Sequence, residues 1–174
     1  MRIEKASMTS FDQIRQFYHS LIDTMKEYGL RITWEKDVNP SPEFLKKSIE
    51  DGCFHIGYYE DQMAAGMIVN HDHNPEYQDV PWKIKAEDKE ILVIHCLGVH
   101  PYFSGKGVGR EMVDHAISMA RDQKMKAVRL DVLKENTAAR NLYIRYGFEY
   151  RTTLKLYYPN TGRADFEMYE YILE

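Results

Sequence analysis

At 174 residues, with 44% hydrophobic and 29% charged side chains, the chain is long enough for one well-filled core and too apolar for intrinsic disorder. A net charge of −4 gives no basic footprint for nucleic acid. No apolar run reaches the length of a membrane span.

The chain opens with a short predicted strand, Arg2 to Lys5. Thr9 or Ser10 caps a helix running to about Tyr28, with Ile14, Phe17, Leu21 and Met25 along one face and Gly29 as its stop. Ser41 followed by Pro42 predicts a second helix, ending near Glu50. Cys53 to Tyr59 and Met63 to Asn70 read as a hairpin joined by Glu60-Asp61-Gln62. His71 to Glu90 is polar and irregular. Ile91 to Val99 is a nearly continuous apolar strand, broken by His95, as expected deep in a sheet. Next come a glycine-rich loop and a helix whose apolar stripe is Val108, Met112, Val113, Ala116, Ile117 and Ala120. Val128, Leu130 and Val132 alternate as in a strand. Asn136 or Thr137 caps a short helix that Gly147 ends. Two last strands, Tyr150 to Tyr158 and Phe166 to Leu173, flank a turn at Asn160-Thr161-Gly162. No repeat or low-complexity linker interrupts residues 1–174, so one domain is expected.

The loop Ser104-Gly105-Lys106-Gly107-Val108-Gly109 sets three glycines in six positions before a helix. Such a helix start leaves N–H groups pointing outward, and the helix dipole favours an anion there. The residues alone fit either a phosphate cradle or an ordinary glycine-rich turn. A nucleotide P-loop needs Ser or Thr after Gly105-Lys106, and Gly107 stands there. A dinucleotide loop read from Gly107 and Gly109 would place its third glycine at Met112. What remains resembles the pyrophosphate loop of the GNAT superfamily of acetyl-CoA-dependent N-acetyltransferases, Gln/Arg-x-x-Gly-x-Gly/Ala. Gly107 and Gly109 match it, and Ser104 replaces the usual Gln or Arg. A second segment resembles the family's Asn-x-x-Ala-x-x-Leu-Tyr followed by Gly-Phe: Asn136, Ala139, Leu142, Tyr143, Gly147 and Phe148 stand in register. The clear resemblance covers Ile91 to about Tyr158.

The resemblance implies an α/β (α+β) GNAT-like fold, a mixed central sheet of about six to seven strands with helices on both faces. It implies acetyl-CoA lying in a V-shaped opening between the strands Ile91–Val99 and Ala127–Val132. Backbone groups of Leu97 and Val99 would meet the pantetheine arm, with Leu97 N–H donating to the thioester oxygen. The loop from Ser104, Gly105 and Lys106 through Gly107, Val108, Gly109 and Arg110 would hold the pyrophosphate. Asn136 would contact the pantetheine, and Tyr143 would be the general acid. A tyrosine hydroxyl with a pKa near 10 in water is protonated at neutrality and can donate to a thiolate. Read alone, Tyr143 also fits a core position on a short helix.

Many members of the family carry a glutamate base in the strand before the loop. Here that run, Val93 to Leu97, holds His95 and no carboxylate. An imidazole with an unperturbed pKa of ~6.5 suits amine deprotonation. His95 equally fits a core position, leaving the proton to a chain of waters. Tyr28, Trp34 and Trp82 are candidates for the acceptor site, Trp82 on a segment that either covers the site or anchors to the core. The spacing His71-x-His73 hints at metal, but third and fourth ligands are lacking, so no metal is expected. Cys53 and Cys96 lie in apolar runs and read as buried thiols suited to a reducing cytoplasm. The segment MRIEKASMTS lacks the apolar core of a signal peptide, which also points to the cytoplasm. The expected reaction is acetyl transfer from acetyl-CoA to a primary amine by direct attack in a ternary complex. A protein N-terminus or lysine as acceptor, and a catalytically silent acyl-CoA sensor, stay open. Neither nucleic acid nor membrane is an expected partner. The last strands would offer an edge for a homodimer.

Overall fold

The computed structural model describes residues 1–30 and 33–173. Among the described residues there are seven strands and four α-helices, in the order β1 (Arg2–Lys5), α1 (Phe11–Glu27), α2 (Pro42–Glu50), β2 (Phe54–Tyr59), β3 (Gln62–Asn70), β4 (Ile91–Val99), α3 (Val108–Asp122), β5 (Ala127–Leu133), α4 (Thr137–Tyr146), β6 (Glu149–Tyr158) and β7 (Gly162–Ile172). They fall into two units, Met1–Val69 with His95–Met112, and Asn70–Ile94 with Val113–Glu174.

In the first unit, α1 begins after a 3-10 turn at Met8–Ser10. Its buried face is Ile14, Phe17, Tyr18, Leu21 and Ile22, while Met25 is only half-buried. Ser41 caps α2 by accepting from Phe44 N–H at 3.2 Å, with Pro42 at the first helical position. Leu45 and Ile49 of α2 join Phe54, Ile56 and Ile68 of β2 and β3 in the same core. Each such fully buried side chain contributes about 1.5–3 kcal/mol of transfer free energy. Strands β1, β2 and β3 are antiparallel neighbours, in registers such as Ile3↔Gly57 and Ile56↔Gly66. The β2–β3 turn is tighter than the three residues read from sequence: Tyr59 pairs with Gln62, and Glu60 and Asp61 both take positive φ, 48° and 61°. Two left-handed residues match the twist of a two-residue hairpin, and Asp tolerates that conformation.

In the second unit, β4 pairs in parallel with β5 through Ile91↔Ala127, Leu92↔Val128 and Val93↔Arg129. β5 and β6 both pair antiparallel with β7. Strand β4 runs through both units, so the sheet reads β1-β2-β3-β4-β5-β7-β6, mixed in sense. The irregular segment 71–90 has its own order, with 3-10 turns at Pro75–Asp79 and Asp88–Glu90. Tyr77 and Val80 are buried in a core with Ile91, Val93, Ala127, Leu156, Phe166 and Met168. All six stripe residues of α3 are buried. Cys53 and Cys96 are thiols outside any disulfide, half-buried rather than buried as read from sequence. Cys53 follows the turn at Asp51-Gly52, and Cys96 has φ +50° inside β4. Among the described residues no helix is long and apolar enough to cross a membrane.

Candidate active site

Strand β4 carries the first group of candidates. Ile91 to Ile94 are buried, whereas His95, Cys96 and Leu97 are half-buried. Cys96 takes a left-handed conformation, uncommon for a non-glycine residue and a mark of a bulge in a strand. Its carbonyl accepts from the Tyr18 hydroxyl on α1 at 2.7 Å. Burial, and Cys96 beside it, push the Tyr18 hydroxyl well above its ordinary pKa, so it stays a donor. The bulge thus stands immediately before Leu97. At Gly98 a Cβ would come within 3.0 Å of Leu21 and 3.1 Å of the Trp34 ring. Glycine is what lets both side chains approach the strand there, between Leu97 and Val99.

Trp34 also meets Tyr18 edge-on at 5.5 Å. The loop expected at Gly29 to Asn39 contains Arg31 and Ile32, which lie outside the described residues. The remainder is tied to α1. Arg15 grips Asp37 with two nitrogens at 2.7 Å, His19 Nε2 lies 2.9 Å from the same carboxylate, and Lys36 meets Asp23 at 2.6 Å. Arg15 first, and His19 second, hold the Asp37 carboxyl well below the ordinary carboxylate range. Tyr28, just past α1, is exposed.

After β4, a 3-10 turn at Pro101–Phe103 leads into the glycine loop. Gly105 and Gly107 take φ of 76° and 80°, and a Cβ on either would meet nothing within 4 Å. The requirement for glycine is therefore conformational, with open space outside. The loop carbonyl of Gly107 accepts from Glu111 N–H at 3.1 Å, which starts the hydrogen bonding of α3. The amides of Val108 and Gly109 precede that bond and have no acceptor within the helix. Ser104 is exposed, and Lys106 lies over the rings of Tyr59 and Phe103 at 4.8 and 5.4 Å.

The second unit holds Asn136 and Tyr143. Asn136 caps α4, its side-chain oxygen accepting from Ala139 N–H at 3.2 Å. Tyr143 is buried three residues before the helix end. Phe148 N–H donates back to the Tyr143 carbonyl at 3.0 Å, and Gly147 N–H donates to Ile144 at 3.1 Å. With Gly147 at φ 115° this is a Schellman closure, completed by the edge-on contact of Tyr143 and Phe148 at 5.4 Å. The Gly-Phe pair of the sequence pattern thus has a mechanical role: it fixes the turn of helix that carries Tyr143. Tyr146 instead donates to Asp114 at 2.6 Å, and burial, then that bond, raise its pKa.

Trp82 is held by the core of its unit. Its indole N–H donates to the Tyr77 carbonyl at 2.9 Å, and the Arg129 guanidinium stacks on its ring at 4.3 Å. Nearby, His71 Nδ1 donates to the Ile91 carbonyl at 2.6 Å, and His73 lies between Asn74 and Asp88. Among the described residues no cluster of three or more metal-ligating side chains forms. Sequence reading missed several polar groups. Asp131 accepts from the Tyr77 and Tyr158 hydroxyls at 2.7 and 3.0 Å. Arg129 and Glu170 form a buried ion pair at 3.0 Å, and Glu170 also accepts from Lys83 N–H. His100, buried at the end of β4, was missed as well. Their signal in the sequence is a polar residue inside or beside an apolar strand, which does not name the partner.

Comparison with known proteins fits this geometry. An uncharacterized N-acetyltransferase of Methanocaldococcus jannaschii is 35% identical over 77 residues, 44% of this chain and only 34% of that protein. A GNAT-family acetyltransferase structure from Streptococcus agalactiae 2603 superposes with a TM-score of 0.81 at 18% identity, covering 99% of this chain and 95% of the other. The yncA structure from Salmonella typhimurium, determined with its cofactor acetyl-CoA, superposes with a TM-score of 0.69 at 17% identity, covering 100% and 94%. At these identities the structural likenesses speak for the fold. The Acetyltransferase (GNAT) family model matches residues 14–148, most of the sequence, and the chain therefore belongs to that family of acyltransferases.

Proposed function

We propose that the chain transfers an acetyl group from acetyl-CoA to a primary amine by direct attack in a ternary complex. One observation carries this reading: the Ser104–Gly109 loop, whose two left-handed glycines face open space at the start of a 15-residue helix. Backbone amides there suit a pyrophosphate, and the fit does not depend on the identity of residue 104. Ser104, Gly105, Lys106, Gly107, Val108, Gly109 and Arg110 then form the pyrophosphate site. Leu97 and Val99 offer backbone groups to the pantetheine arm, and Asn136 is the side chain assigned to it.

The chemistry follows from what the bond change demands. The amine must lose a proton, the thioester oxygen must be stabilised as it gains charge, and the sulfur must leave as a thiol. Leu97 N–H, next to the Cys96 bulge, donates to the oxygen. Tyr143 protonates the departing sulfur. His95 takes the amine's proton directly or through water. Trp34, packed over Gly98 and steadied by the clamp on its loop, lines the acceptor side together with Tyr28. The location in the cell is proposed to be the cytoplasm.

The test offers acetyl-CoA and a panel of amines, polyamines, amino acids and peptides to the protein and reads release of CoA thiol. Amine-dependent thiol release is the expected result. Saturable acetyl-CoA binding with no release for any amine, peptide or protein N-terminus would instead indicate an acyl-CoA sensor.

A further inference from the structure

We propose that His100 is a positioning residue for acyl-CoA: its neutral imidazole caps the turn that leads into the glycine loop and keeps that loop shaped for the pyrophosphate. The inference rests on reading the loop as the acyl-CoA site. It goes beyond that reading by assigning control of the loop to a side chain that has no part in the transfer chemistry.

The contacts form a continuous chain. The His100 backbone is fixed to β3, its N–H donating to the Ala64 carbonyl at 2.9 Å. Its Nδ1 accepts from Tyr102 N–H at 3.4 Å, as the cap of the turn Pro101–Phe103. An imidazole nitrogen that accepts carries no proton, so in the neutral ring the hydrogen sits on Nε2. Nε2 then donates to Ser20 Oγ on α1 at 3.1 Å. The turn passes this order forward. Phe103 N–H donates to the His100 carbonyl at 2.9 Å, Ser104 N–H to Pro101 at 3.0 Å, and Lys106 N–H to Phe103 at 3.3 Å. Phe103 is buried against Tyr59 at 5.8 Å, and Lys106 covers both rings. Gly107 follows at once.

Protonation would undo the cap. An imidazolium has two donors and no acceptor, so Nδ1–H would oppose Tyr102 N–H. The groups facing the ring are Phe17 and Ser20 from α1, the Ala64 carbonyl from β3, and Tyr102 and Phe103 from the turn. Tyr102 is the titratable one among them. Burial lowers the His100 pKa from its ordinary value, so the neutral, capping form prevails at neutrality. The sign follows: the cap is intact at and above neutral pH and is lost as pH falls through the lowered pKa. Acyl-CoA affinity should fall with it.

The test titrates wild type, His100→Ala and His100→Asn with acetyl-CoA by calorimetry at pH 7.5 and pH 5, with melting temperature measured in parallel. Asn keeps a side-chain acceptor suited to a helical cap and does not titrate. Alanine should weaken binding roughly fivefold at pH 7.5, the size of one lost cap. Asparagine should restore it. Wild type should lose affinity at pH 5 more steeply than His100→Asn, while the ligand's phosphate titration is common to both. A purely structural role would lower the melting temperature without separating these pH responses. Unchanged affinity in a folded Ala variant, or an identical acid loss in Asn and wild type, overturns the role of His100 alone. If Ala does not fold, the Asn comparison still decides. Absence of acetyl-CoA binding by wild type at either pH removes the loop reading, and the role of His100 with it.

Discussion

Tyr143 is held by backbone hydrogen bonds as well as by its ring. Its carbonyl receives Phe148 N–H, its ring meets Phe148, and Asn136 pins the other end of the helix. Removing the hydroxyl leaves all of this intact. Tyr143→Phe should therefore keep melting temperature and acetyl-CoA affinity while lowering kcat roughly 10²–10⁴-fold, the scale of a lost general acid. Wild-type turnover in the Phe variant, with an amine whose chemical step is slow, would reduce Tyr143 to a packing residue. His95 needs a comparative test, because the amine's own ionisation also makes the rate rise with pH. On one amine, His95→Gln should lower kcat/KM and lose the acidic limb that a histidine base contributes. The same limb in both proteins, at similar rates, would hand the proton to water. At this scale the sequence was legible where the structure is local: Asn136 as the cap of α4 and Gly147 as its stop follow from spacing. Tyr18 was not singled out, because Cys96, its partner, lies 78 residues away. Asp131 is 54 residues from Tyr77, and Arg129 is 41 from Glu170. Only the folded sheet brings such pairs together.

The elements show the same division. The start of α2 was legible, because Ser41 and Pro42 act within a few residues. The bulge in β4 was invisible, since Cys96 is not a residue type that advertises a left-handed backbone. The order within 71–90 was equally hidden, because 3-10 turns are too short to show a periodicity. For α4 the decisive residue is Gly147. At φ 115° an L side chain is strained, and its Cβ would stand 3.5 Å from the Tyr171 ring. Gly147→Ala should cost about 1–2 kcal/mol of stability, read as a shift in the urea midpoint with an unchanged slope. Because the closure also holds Tyr143, kcat should fall as well. A variant with wild-type stability would mean that another ending of α4 is available at no cost.

For the molecule as a whole, the buried polar contacts of the second unit are where loss of a single partner costs most. Glu170 is fully buried, accepts from Arg129 Nε at 3.1 Å and Lys83 N–H at 2.9 Å, and has the Arg151 guanidinium at ion-pair distance, 3.3 Å. Removing one partner of such a pair leaves a buried charge uncompensated. Glu170→Gln should destabilise by about 3–5 kcal/mol, and Arg129→Met combined with Glu170→Met should recover much of it. A Gln variant within experimental error of wild type would show that water reaches the guanidinium. Exposed pairs are expected to contribute far less. The Asp37 clamp carries a pH signature. Its carboxyl is depressed, so its contribution is present above the ordinary carboxylate pKa and fades as pH falls below it.

The anchoring of residues 71–90 changes where this chain can be opened. In a sequence alignment, the longest irregular stretch is the natural place to splice in a tag or graft a peptide. Here that stretch carries Tyr77 on Asp131, Trp82 under Arg129, and Lys83 on Glu170. Cutting it would release three buried attachments at once. The short turn at Glu60-Asp61, with both residues exposed and only a surface ion pair from Asp61 to Arg2 beyond its flanking strands, is the better entry point. Tolerance to insertion in this protein thus follows attachment rather than loop length.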